Sequence, residues 1–117
     1  MLRMMIGGTA VQVQWEDNES VRALEALCAD APLVIHMSMY GCFEQVGAIG
    51  RSLPRSDRQT ATSAGDIVLY SGDQLVVFYG TNAWAYTPLG RVTDRDAAGM
   101  TELLGHGDVT VTLTAGE

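Results

Sequence analysis

The chain has no lysine: its seven basic residues are all arginine, set against 14 acidic residues for a net charge of -7. An acidic surface repels phosphate backbones and anionic lipid, so neither nucleic acid nor a membrane is expected as a partner. Cysteine is scarce. Cys28 and Cys42 are too few for a disulfide scaffold or a four-cysteine zinc site. His36 and His106 are the only histidines, and no acidic or cysteine spacing completes a metal triad around either, so no metal is expected. Gly7-Gly8 and Gly105-His106-Gly107 lack the strand–loop–helix context and the Lys-Ser/Thr pair of a phosphate cradle, and they read as turns. No cofactor is expected. No apolar run approaches the roughly 18 residues that cross a bilayer, and the short apolar stretch after Arg3 is no secretory signal, so a cytoplasmic location is expected.

With 117 residues, 47% of them hydrophobic and 18% charged, the chain suits a single globular domain spanning 1–117. Leu2, Met4 and Ile6 alternate, Gly7-Gly8 turns, and Val11, Val13 and Trp15 alternate again, which predicts a β-hairpin. Asp17 or Asn18 can cap a helix whose apolar stripe is Val21, Leu24, Leu27 and Cys28, with Pro32 soon after its end. Leu33, Ile35, Met37 and Met39 form one face of a following strand. The polar stretch Gly47–Gly65, with Arg51, Arg55 and Arg58, reads as a long loop, either functional or mobile. Segments 66–70 and 74–79 flank Ser71-Gly72-Asp73, a turn signal, and are apolar enough for strands buried on both faces. A Trp/Tyr-bearing loop leads to a strand at 87–92. Thr93-Asp94-Arg95-Asp96 approximates a capping box for a second helix, with stripe Ala97, Met100, Leu103 and Leu104 and a left-handed cap at Gly105. Val109, Val111 and Leu113 face inward in a last strand. The fold class is mainly β: a closed antiparallel barrel of about eight strands with two helices over its mouths, closure removing exposed edges.

Four segments carry a resemblance: Gly65-Asp66-Ile67-Val68-Leu69-Tyr70, Leu75-Val76-Val77-Phe78-Tyr79, Tyr86-Thr87-Pro88-Leu89-Gly90-Arg91-Val92 and Gly107-Asp108-Val109-Thr110-Val111-Thr112. Through them the chain resembles a small prokaryotic family of cyclophilin-like fold proteins, which implies a cyclophilin-like barrel over nearly the whole length and a bacterial origin. Arg22–Cys28, Gln74–Phe78 and Leu89–Val92 are similar, more distantly, to segments of the cyclophilins themselves. Cyclophilins place an arginine on the strand after their first helix, against the twisting prolyl bond. Here that strand reads Leu33-Val34-Ile35-His36-Met37-Ser38-Met39-Tyr40, without one. The resemblance puts Tyr86 where cyclophilins carry a pocket-edge histidine, and Glu44 in the segment that carries a pocket glutamine. Prolyl isomerisation has a barrier of ~18–20 kcal/mol, lowered mainly by electrostatic stabilisation, so losing that cation should remove most of the rate.

The candidate ligand-binding residues are Tyr40, Phe43, Glu44, Tyr79, Asn82, Trp84 and Tyr86, since aromatics on one barrel face supply apolar area with polar handles. Phe78 and Trp15 read as core. The loop around Trp84 suits a ligand-facing and a packed side chain equally, and turn chemistry alone explains Asn82. A Cys42–His36 nucleophile pair oriented by Glu44 has no local signature, and no catalytic residue is assigned. The expected function is a non-enzymatic module that binds a small molecule or short peptide, as a monomer or homodimer. The alternatives are a weak peptidyl-prolyl cis-trans isomerase using a loop arginine such as Arg51, and a structural or oligomerisation module.

Overall fold

The computed structural model describes residues 1–116. Alternating apolar residues start the barrel: Leu2, Met4 and Ile6 bury one face of β1 (Leu2–Ile6). Gly7, at a φ of 63°, turns the chain into β2 (Thr9–Val11), which pairs with β1. The run read as one strand through Trp15 is divided. After Gln12, β3 (Val13–Trp15) leaves β1 and pairs with the far end of β9 (Asn82–Val92), Val13 opposite Val92 and Trp15 opposite Gly90.

The remaining strands are β4 (Leu33–Tyr40), β5 (Glu44–Ala48), β6 (Arg58–Thr62), β7 (Asp66–Tyr70), β8 (Gln74–Phe78) and β10 (Val109–Ala115). Nine of the ten strands make a nearly closed antiparallel wall in the order β2-β1-β10-β4-β5-β8-β7-β9-β3. The two ends of that path, β2 and β3, are separated in sequence by Gln12 alone, so a kink in the chain joins the wall's two edges. The Gln12 carbonyl accepts from the Thr93 N–H at 2.9 Å, which fixes the kink.

The tenth strand, β6, pairs with the N-terminal half of β9, outside the wall. The stretch 47–65 is therefore structured where the sequence suggests a loop. Ile49 and Leu53 are buried, their N–H groups donate to the carbonyls of Asp73 and Gly72, and β6 follows. Polar side chains hid β6, because an edge strand needs backbone pairing more than an apolar face. The strand expected at 87–92 likewise begins earlier, at Asn82. A bulge opposite Ile67 and Val68 separates Gly90 from Pro88 and lets proline, which lacks a donor, sit within β9.

Helix α1 (Glu19–Leu27) is capped by Asn18, whose Oδ1 accepts from the Val21 N–H at 2.9 Å, and it buries Val21 and Leu24. Helix α2 (Ala97–Leu104) starts one turn later than the capping-box reading implies: Asp96 is itself the cap, its Oδ1 accepting from the Gly99 N–H at 2.8 Å. Gly105 ends the helix at a φ of -90°, not left-handed. Met100 and Leu104 are buried, Leu103 is half-buried and Ala97 is exposed.

Interior-facing residues of every wall strand except β3 and β5 join Leu24, Cys28, Met100 and Leu104 in one barrel core, against which the β3 residues Val13 and Trp15 pack half-buried. Gly47 marks its tightest point, since a Cβ there would meet the His36 carbonyl oxygen at 2.5 Å and the Met37 sulfur at 2.7 Å.

Candidate functional site

Side chains of a strand alternate faces, so a wall with one core should be polar outside. On β5, β8 and β7 it is not. Val46 lies opposite Val76, which lies opposite Val68, and all three point away from the barrel core. Val68, Val76, Phe78 and Tyr86 form a second buried cluster, with Phe43, Val46 and Tyr70 packed against it. This outer cluster explains why 66–70 and 74–78 read as continuous apolar runs.

Two projections make the outer face concave. On one side, β6 and the first half of β9 form a ribbon that carries Asn82, Trp84 and Tyr86 on one face at strand spacing. On the other, the β4–β5 turn presents Tyr40 and Phe43. The turn residues Gly41 and Cys42 both have positive φ, 68° and 73°. A Cβ on Gly41 would lie 2.1 Å from Phe43 Cε2, so only glycine lets that ring fold back over its own turn. Between ribbon and turn lies a cavity of about 460 Å³.

Its wall is a chain of ring contacts. Tyr40 meets Phe43 edge-on at 6.1 Å, Phe43 stacks on Phe78 at 6.5 Å, Phe78 meets Tyr86 at 5.6 Å, and Tyr86 meets Tyr70 at 6.0 Å. Trp84 closes the outer rim, 56% exposed, on a strand and not in the expected loop. Asn82 Nδ2 donates to the Tyr86 hydroxyl at 2.9 Å, while its own backbone is held in β6–β9 pairing by Thr62. Burial raises the Tyr86 phenol, the Asn82 hydrogen bond opposes that rise, and the neighbouring Glu44 adds to it.

Glu44 is the ionisable group at the centre. It opens β5 opposite Tyr40 and Phe78, lines the cavity, and is only 6% exposed. Among the described residues no hydrogen bond or ion pair reaches its carboxylate. Burial alone pushes its pKa from the ordinary 4.5 up to about 7.

Six of the seven candidate residues thus share one cavity. Tyr79 stands apart: one step past Phe78 it alternates to the other side, packs on the barrel core, and lines a second groove with Arg91, Arg95 and Asp96. Val46, Tyr70 and Gln74 also line the aromatic cavity and were not singled out from sequence. Tyr70 shares the parity of Val68 on β7, which was the available signal.

Among the described residues no lysine, arginine or histidine lines the cavity. Arg58 lies opposite Tyr86 in register but outside the lining, and Arg55 is taken up by Asp57. The Asp57 carboxyl is held below its ordinary value first by the Thr87 hydroxyl, at 2.7 Å, and then by Arg55. Strand β4 carries no arginine, and its His36 is exposed. No helix among the described residues is long and apolar enough to cross a membrane.

No curated protein and no solved structure matches the chain. A sequence model of the Cyclophilin-like family matches residues 4–114, in keeping with the barrel, and the chain belongs to that family.

Proposed function

We propose that the protein is a non-enzymatic binding module that receives a small molecule or short peptide in the aromatic cavity. The cavity itself carries this reading. Its volume of about 460 Å³ falls in the range of ligand sites, and its walls are mostly aromatic with a few convergent polar groups. A large tryptophan on its rim keeps more than half of its surface exposed beside the other rings of the cavity, which supports a role in contact with something else. The lining offers no cation to stabilise a twisting prolyl bond and no nucleophile paired with a base, which favours binding over catalysis.

A thermal-shift screen of small molecules and short peptides tests the proposal, run in parallel on the native chain and on Trp84→Ala. At about 100-fold saturation a bound ligand adds roughly 2.7 kcal/mol, and the substitution should abolish that response while the fold stays intact. A companion proline-peptide assay should show no acceleration at micromolar protein. Acceleration that Arg51→Ala removes would replace this reading with a weak isomerase.

A further inference from the structure

Resting on the binding reading above, we infer that the ligand of this cavity is an organic cation, whose ammonium or guanidinium group sits among the aromatic rings against the Glu44 carboxylate. A buried carboxylate is ordinarily paired or hydrogen-bonded, because removing it from water is costly otherwise. Glu44 as a residue is more than nine-tenths buried, its carboxylate keeps its remaining exposure at the cavity, and no hydrogen bond or ion pair reaches it among the described residues. Among the described residues none supplies a positive complement to it. The surrounding rings of Tyr40, Phe43, Tyr70, Trp84 and Tyr86 favour the same charge, since the faces of aromatic rings are electronegative and attract cations. A ligand anion would meet Glu44 with no lysine, arginine or histidine in the lining to offset it. The chain's charge of -7 adds a long-range field of the same preference.

Binding of a cation is coupled to a proton. With its pKa raised to about 7, Glu44 is partly protonated at neutral pH, and a bound cation draws it to the ionised form and releases the proton. The other polar groups facing it are Tyr40 from β4, Gln74 from β8, Tyr70 from β7, and Asn82 and Tyr86 from β9, none of them a carboxylate or a basic side chain. Among the described residues Arg58 is the cation placed near by register, opposite Tyr86, and it does not enter the lining.

The test is titration calorimetry of the full chain with choline, butylammonium, butylguanidinium and 3,3-dimethylbutan-1-ol, the last being choline with carbon in place of the charged nitrogen. At least one cation should bind about tenfold or more tighter than the neutral alcohol. That preference should vanish in Glu44→Gln, and Trp84→Ala should weaken both kinds of probe. On the native chain, affinity for the cation should rise as pH increases through about 7, with protons released in buffers of different ionisation enthalpy. The pH arm needs no variant. A panel in which no cation binds more tightly than the alcohol, or a preference that survives Glu44→Gln, overturns the inference. If the alcohol binds in a Trp84-dependent way, the cavity remains a binding site and only the charge assignment falls. Silence from every probe to millimolar concentration also overturns the inference, whereas the binding reading stands or falls with the broader screen.

Discussion

Replacing Glu44 with glutamine should make the protein more stable at neutral and alkaline pH, although the substitution removes a charged group from a structured site. The carboxyl has a pKa of about 7 in the folded chain against an ordinary 4.5, and burial is the sole cause. Below 4.5 both folded and unfolded chains hold the proton, and Glu44 costs nothing. Between 4.5 and about 7 the folded chain binds more protons than the unfolded one, so the Glu44 contribution to stability falls as pH rises. Above about 7 both are ionised, and the folded state bears the full cost. At about 1.36 kcal/mol per pH unit, the interval between the two values amounts to about 3 kcal/mol. Glutamine has nearly the same shape and no charge to desolvate. Urea denaturation of both proteins from pH 4 to 8.5 isolates the term, since every other titrating group, including the acid-strengthened Asp57, cancels in the difference. The difference should be near zero at the acid end and reach about 3 kcal/mol above pH 7, with Tm higher by on the order of 10 °C. A variant less stable than the native chain at pH 8, or a difference that does not change with pH, would refute the reasoning.

Trp84→Ala should change stability by no more than about 0.5 kcal/mol in the same denaturation assay, because the side chain is more than half exposed; a loss of ~3–5 kcal/mol would make Trp84 a core residue. Leu104→Ala should cost ~2–5 kcal/mol through the cavity it leaves, and Leu103→Ala, half-buried on the same helix, about half as much. Equal effects would mean that α2 is rotated on the barrel. Gly47→Ala should destabilise by ~1–3 kcal/mol, since its new methyl must displace the His36 carbonyl on the neighbouring strand; a neutral result would show that β4 and β5 can part without cost.

The barrel was legible because burial writes itself into strands with period two. Leu2, Met4 and Ile6, or Val109, Val111 and Leu113, disclose both the element and its inner face. The apolar runs 66–70 and 74–78 likewise announced strands covered on two sides. What failed were features decided by neighbours distant in sequence. Gln12 looks like one more strand residue, and its kink follows from closing the barrel onto β9. Strand β6 is defined by its ladder to β9, which no alternation of Arg58-Gln59-Thr60-Ala61-Thr62 could reveal. The cap of α2 turned on whether the Thr93 or the Asp96 side chain accepted a helix N–H: the Thr93 hydroxyl donates to the Gln12 carbonyl, and Asp96 Oδ1 accepts from the Gly99 N–H.

The candidate site was legible in part for a related reason. Aromatic residues at Tyr40, Phe43, Trp84 and Tyr86 stand out by type, and the outer face of the barrel gathers them. Tyr79 has the same chemistry, but alternation past Phe78 sends it to the opposite side. Glu44 was named from its place in the resemblance, whereas the feature that gives it chemical interest, a mostly buried side chain whose unpaired carboxylate opens on the cavity, exists only once β4, β5 and β8 are aligned.

The most direct test of the outer-face cavity as the ligand site is a two-dimensional NMR titration with the strongest compound from the thermal-shift screen. Shift changes should concentrate on Phe43, Glu44, Val46, Tyr70 and the Asn82–Tyr86 half of β9, together with the Trp84 indole N–H. Changes centred instead on Tyr79, Arg91 and Arg95, around the second groove, would contradict the account.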